Sequence, residues 1–212
     1  MTTYKEIHGT KVEVRDDDPA NPVNGQVWYN SQTLKGFKSN PTGAWASGGN
    51  LNQVRQGIGG AGTQTAGLAF GGETPGSSDF NLSEEYNGTA WTEGNNLNNA
   101  RAFGYGLGTQ TAALGFGGEP NQAHTESYNG TSWTELNNLN QGRSALAGAG
   151  TTTAGIAFGG TAPARALAES WNGTSWTEVA DLNAARYGIS GAGTGTAALG
   201  FGGFTSPPDT YY

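Results

Sequence analysis

Four arginines stand in fixed register along this chain: Arg55, Arg101, Arg143 and Arg186. A guanidinium presents five donors in a rigid planar fork, so a ring of four could grip a carboxylate or sulfate on a glycan or peptide. The competing use is internal, each arginine pairing with a nearby carboxylate or carbonyl and ordering a junction. Glu93, Glu135 and Glu178 each follow a recurring tryptophan by two residues and are the expected partners, although the first unit has Ser47 there. The internal use is the preferred expectation.

Other candidate chemistry is sparse. The histidines are His8, near the N-terminus, and His124, in a variable loop, so no His-based triad or multi-histidine metal site is expected. Cysteine is absent, which removes disulfides, thiolate zinc sites and cysteine nucleophiles together. Glu84-Glu85 resembles an acid/base pair only on paper, because adjacent residues on a strand point to opposite faces; a solvated edge is expected. Asp16-Asp17-Asp18 lacks the glycine and distal glutamate of an EF-hand loop. No catalytic residue, metal or cofactor is expected, and the chain is read as a non-enzyme. Net charge is −7, which disfavours a duplex nucleic acid as partner. No apolar run approaches the roughly 18 residues that a membrane span requires, so no membrane insertion is expected.

The elements that position these residues repeat. Trp45, Trp91, Trp133 and Trp176 each precede one of the arginines by ten residues, and each arginine precedes a Phe-Gly-Gly by fifteen, at Phe70, Phe116, Phe158 and Phe201. Leu51, Leu97, Leu139 and Leu182, each followed by Asn, recur between Trp and Arg. A repeat whose length varies in only one segment is a repeat architecture. Within a unit, a run of small residues, an Ala/Phe run, a Tyr or Trp run and a Trp run follow one another. Asn87-Gly88, Asn129-Gly130 and Asn172-Gly173 predict tight hairpins of type I′ between the last two. On that turn Trp171 faces Thr174 and shares a sheet face with Trp176. Four short antiparallel strands per unit is the arithmetic of a β-propeller blade. The Gly/Ala-rich first strands suit crowding near an axis, and the bulky Tyr and Trp suit the outer strands.

The double glycine closing a second strand, a spaced Tyr and Trp, and an Arg opening the next unit resemble the kelch repeat, over residues of about 41 to 212. The Tyr-to-Trp spacing of five is shorter than the family's usual spacing, and four blades are fewer than usual. The resemblance implies an all-β, four-bladed kelch-type β-propeller (41–212). Kelch propellers include a copper radical oxidase, but its chemistry needs a cross-linked cysteine, which this chain lacks. Asp209-Thr210-Tyr211-Tyr212 aligns with Thr125-Glu126-Ser127-Tyr128, and Pro41-Thr42-Gly43-Ala44-Trp45 resembles the strand that should follow. The propeller is therefore expected to be closed by an N-terminal strand, which would remove two sheet edges. The alternative is an open array completed by a second subunit.

Residues 1–40 differ in composition and contain all four lysines, Lys5, Lys11, Lys35 and Lys38. Tyr4 to Val14 alternates as a strand would. Gly25-Gln26-Val27-Trp28-Tyr29-Asn30-Ser31 with Leu34-Lys35-Gly36-Phe37 predicts a hairpin. The segment reads as a short β-rich arm, for attachment or as a flap packed on the propeller; attachment is preferred. Its wording, with the repeat phrases Tyr-Asn-Gly-Thr-Ser-Trp-Thr-Glu and Thr-Ala-Ala-Leu-Gly-Phe-Gly-Gly, is similar to bacteriophage fibre proteins and kelch-like virion proteins of phages of marine bacteria. That resemblance implies a virion structural protein such as a tail-fibre component, contributing to host recognition. Its implied partners are other virion proteins through the arm, a host-surface glycan or protein, and further copies of itself on the particle. A soluble cellular kelch module binding a peptide or glycan on its loop face is the alternative, and a sugar-active propeller enzyme is a third reading. Recognition, where it occurs, is expected on the variable loops carrying Phe80, His124, Arg165 and Phe204, beside the arginine ring.

Overall fold

The computed structural model describes residues 47–76, 78–161 and 165–205, and five short strands before them. The chain divides into two compact units, Met1–Ser47 and Gly48–Tyr212. In the first, β1 (Glu6–Ile7) pairs antiparallel with β2 (Thr10–Lys11). β3 (Glu13–Arg15) lies parallel to β4 (Val27–Asn30), which forms the expected hairpin with β5 (Thr33–Gly36). The alternating stretch from Tyr4 to Val14 is thus several short strands rather than one.

The second unit holds fourteen strands in four antiparallel sheets, with no helix among the described residues. Sheet 1 is β6 (Gly59–Thr63), β7 (Ala66–Phe70), β8 (Ser83–Tyr86) and β9 (Trp91–Glu93). Sheet 2 is β10 (Tyr105–Thr109), β11 (Ala112–Phe116), β12 (Thr125–Tyr128) and β13 (Trp133–Glu135). Sheet 3 is β14 (Ala147–Gly150), β15 (Gly155–Phe158), β16 (Ala168–Trp171) and β17 (Trp176–Val179). Sheet 4 has two described strands, β18 (Ser190–Thr194) and β19 (Ala197–Phe201). Each sheet runs as a meander in chain order. The first strands pack side by side in the order β6, β10, β14, β18.

Small residues in the first strands are explained by that packing. A Cβ on Gly106 would collide with the Gly60 carbonyl oxygen, and one on Gly191 with that of Gly148. In Phe-Gly-Gly both glycines take positive φ in all four copies, a conformation that side chains disfavour. The core is distributed between sheets. Phe70 of sheet 1 packs edge-on against Trp133 of sheet 2 at 4.9 Å, and Phe116 of sheet 2 meets Trp176 of sheet 3 in the same way at 4.9 Å. Leu146 and Ile189 occupy equivalent positions and are buried beside Gly117 and Gly159 of the sheet before them.

The hairpins differ from the type I′ expectation. Tyr86 pairs directly with Trp91, Tyr128 with Trp133 and Trp171 with Trp176, so the turn is centred one residue later than Asn-Gly. Only the glycine has positive φ (Gly88 91°, Gly130 86°, Gly173 91°), which fits a turn with glycine in its first central position. The asparagine flanks the turn instead, and its side-chain oxygen explains why. Asn172 Oδ1 accepts the backbone N–H groups of Thr174 and Ser175, both at 2.9 Å, and Asn129 and Asn87 do the same in their hairpins. Direct pairing brings the aromatic rings to 5.0–5.2 Å.

A backbone ladder links the sheets where each arginine leads into its first strand. Gly57, Phe103, Ala145 and Gly188 each follow an arginine by two residues, and all four have φ between 50° and 63°. Phe103 N–H donates to Gly57 O, Ala145 N–H to Phe103 O and Gly188 N–H to Ala145 O. The ladder does not return from Gly188 to Gly57, and β18 does not pack on β6 as β10 does. The four sheets are therefore an open array among the described residues. The expected closing strand, Pro41 to Trp45, and the segment Asp209 to Tyr212 lie outside those residues.

Candidate functional site

The recurring charged residues meet in a buried clamp on the third strand of sheets 1, 2 and 3. Glu126 on the third strand of sheet 2 receives the Asn98 N–H at 2.8 Å and Asn98 Nδ2 at 2.9 Å on Oε2. Its Oε1 takes a short hydrogen bond from Arg101 Nη2 and a longer one, 3.3 Å, from the Asn99 N–H. Arg101 also donates through Nη1 to the carbonyls of Gly117 and His124, at 3.2 and 2.9 Å. Sheet 1 repeats the arrangement, with Asn52 and Arg55 Nη2 on Glu84, each contact at 2.8 Å. Sheet 3 places Asn140 on Glu169 at 2.8 and 2.9 Å. There Arg143 Nη1 lies 2.9 Å from Glu169 Oε1, an ion pair by distance whose N–H groups do not point along the line of contact. The asparagine amide continues to the tryptophan carbonyl of the same sheet in all three.

The clamp shows how the sequence positions charge in an apolar setting. The Leu-Asn-x-x-Arg segment leaves one sheet and crosses onto the third strand of the next, where the buried leucine anchors it in two copies, Leu97 and Leu139. Glu84, Glu126 and Glu169 are all at most 1% exposed, and such burial of a carboxylate is tolerated only with this density of donors. Burial pushes the guanidinium pKa values of Arg55, Arg101 and Arg143 down, and the paired glutamate opposes the shift in each. Arg165 adds a further downward push on Arg143.

Two expectations change accordingly. The partners of Arg55, Arg101 and Arg143 are the third-strand glutamates Glu84, Glu126 and Glu169, not the glutamates two residues after each tryptophan, because the clamp reaches inward rather than along the Trp strand. Glu84 is not on a solvated edge. Alternation does send Glu85 to the other face, where Oε1 accepts the Tyr128 hydroxyl at 2.6 Å. Burial, then the bond to Glu85, raises the Tyr128 phenol above its ordinary value. The missed signal was legible as Glu-x-Tyr or Glu-x-Trp at Glu84, Glu126 and Glu169, in step with Leu-Asn.

The loop residues are placed separately. Phe80 is half-buried and held through its backbone, its N–H on Gly72 O and its carbonyl accepting the Arg101 N–H. His124 Nδ1 is 3.2 Å from Glu135 Oε1. Arg165 donates to Gln141 Oε1 at 2.7 Å. Phe204 stacks on Tyr187 at 5.4 Å and pairs with it through the backbone. Arg186 donates to the Gly202 carbonyl at 2.8 Å. Arg55, Arg101 and Arg143 have their side chains buried, so a ligand on the loop face would not reach them without opening the clamps.

Loop carboxylates crowd at one place. Burial, with the charge of Glu73, raises the Asp79 pKa, and burial with Glu73 and Asp79 raises that of Glu119. Glu85, Glu93, Asn95, Tyr128 and Thr131 line a shallow open groove between the outer strands of sheets 1 and 2. Among the described residues, no group of three or more His, Cys, Asp or Glu side chains is placed to hold a metal ion. No known protein family and no curated protein matches the chain.

Proposed function

We propose that this chain is a non-enzymatic structural protein of a bacteriophage particle surface, a tail-fibre or similar component built from kelch-type propeller blades. The observation that carries the reading is the clamp: the recurring charged residues, which were the best candidates for chemistry, serve to hold one sheet after another in the same geometry. Such a molecule presents a rigid frame with short loops. The phage assignment is supported by the wording of Gly25 to Phe37 and of the repeats, and residues 1–40 would then attach the frame to other virion proteins. Host contact through Phe80, His124, Arg165 and Phe204 is the associated proposal for the loops.

Quantitative proteomics of purified particles from the source tests this reading. Stoichiometric copies of the chain are expected. A chain absent from particles and recovered from host cytosol with a bound peptide would overturn it in favour of a cellular interaction module. Turnover of a glycan panel would overturn the non-enzymatic assignment. The blades have two ways to form a ring, through residues 41–45 of the same chain or through a second chain.

A further inference from the structure

The two ends of the open array are complementary to each other, and we infer that a second copy of this chain docks head-to-tail on the first. The inference rests on the blade reading of the sheets, though not on the phage assignment. Its evidence is that the same contact is already made inside the chain. At the junctions of sheets 1 with 2 and 2 with 3, a phenylalanine closing the second strand meets the tryptophan of the next sheet, as Phe70 meets Trp133 and Phe116 meets Trp176. At the junctions of sheets 2 with 3 and 3 with 4, an aliphatic residue of the later sheet covers the first glycine of Phe-Gly-Gly, as Leu146 covers Gly117 and Ile189 covers Gly159; at the first junction Arg101 meets Gly71 instead. The second glycine's N–H donates to the next arginine's carbonyl, in Gly72 to Arg101, Gly118 to Arg143 and Gly160 to Arg186.

The outer faces of sheets 4 and 1 hold the two unmatched halves of that junction. On sheet 4, Phe201 is 49% exposed and Leu199 64%, and a Cβ on Gly202 would touch nothing. On sheet 1, Ile58 is 41% exposed where Leu146 and Ile189 are buried. Trp91 is half-buried where Trp133 and Trp176 are buried. A Cβ on Gly60 would meet only its own sheet, whereas those on Gly106 and Gly191 would meet the sheet before. Docking one copy's sheet 4 on another's sheet 1 places Phe201 on Trp91 and Ile58 on Gly202. It also brings the Gly203 N–H to the Arg55 carbonyl, and the Gly57 N–H to the Gly188 carbonyl. Among the described residues, none of these four groups has such a backbone partner. Within one chain the same contacts would form in a closed four-sheet ring, and among the described residues they are not made. A heterologous contact closes when its rotation does, and closure after two copies would give a ring of eight sheets, within the range of propeller sizes.

The test is native mass spectrometry with analytical ultracentrifugation on the full chain and on Phe201→Asp and Ile58→Asp, both at exposed positions. The wild type is expected at twice the chain mass at micromolar concentration. Each variant should keep its strand spectrum and melting cooperativity while its dimer weakens roughly 30-fold or more, as for a central anchor. Mixing the two variants should restore a heterodimer, because one junction then has two intact halves. A wild type that is monomeric at these concentrations would overturn the inference, and so would variants that dimerise as tightly as wild type. Failure of the mixture to form a heterodimer would overturn the head-to-tail arrangement. If the strand spectrum itself showed no sheet array, the blade reading would fail instead, a result separate from oligomeric state.

Discussion

The words Ala-Ala-Leu-Gly-Phe-Gly-Gly occur twice, at residues 112–118 and 197–203, and they meet opposite fates. In the first, Leu114 and Phe116 are 0% exposed; in the second, Leu199 and Phe201 are the most exposed large apolar side chains of their sheet. Both copies form a five-residue strand in the same antiparallel register with the strand before it. Local sequence therefore decides the strand and its turn, and the neighbouring sheet decides whether its side chains belong to a core. Burial in this molecule is a property of position in the array.

The comparison can be broken or sharpened by substitution. Arg101→Ala removes the cation from a fully buried clamp and leaves Glu126 charged without it, so a loss of about 3–5 kcal/mol is expected in urea unfolding. If that loss is under about 1 kcal/mol, the clamp does not hold the inner sheets. Phe116→Ala should cost about 3–4 kcal/mol by emptying the junction with Trp176. Asn172→Ala, which removes two hydrogen bonds to the hairpin backbone, should cost about 1 kcal/mol in the same experiment. Phe201→Ala, measured at dilutions where assemblies dissociate, should change stability by only about 0.5 kcal/mol, within the range of surface substitutions. Equal effects at Phe116 and Phe201 would show that the last sheet is as well packed as the inner ones, contrary to the exposure seen here.

Much of the frame is legible in the sequence. The constant interval from Trp to Arg to Phe-Gly-Gly predicted the units, and the Asn-Gly pairs predicted hairpins at the right places. The turn type was not legible, because Asn can act through its backbone or through its side-chain oxygen, and the two choices shift the centre by one residue. The clamp was half legible: Arg101 was expected to find an internal carboxylate, but the choice between Glu126 and Glu135 depends on which face of a strand the linker crosses. Exposure at Leu199 and Phe201 was not legible at all, since Leu114 and Phe116 carry the same local signal.

The clamp also bears on how such a chain can change length. Arg101 and Asn98 bind Glu126, all three within one 42-residue spacing between Trp91 and Trp133, and the clamps on Glu84 and Glu169 are likewise each contained between two successive tryptophans. A duplicated or deleted unit would carry its entire ion pair with it, and its new neighbours would present the same phenylalanine and tryptophan that the old ones did. Unequal recombination between near-identical stretches such as 112–118 and 197–203 would then yield chains that fold at once, without compensating substitutions. Selection could adjust the number of sheets as freely as it adjusts the residues within them.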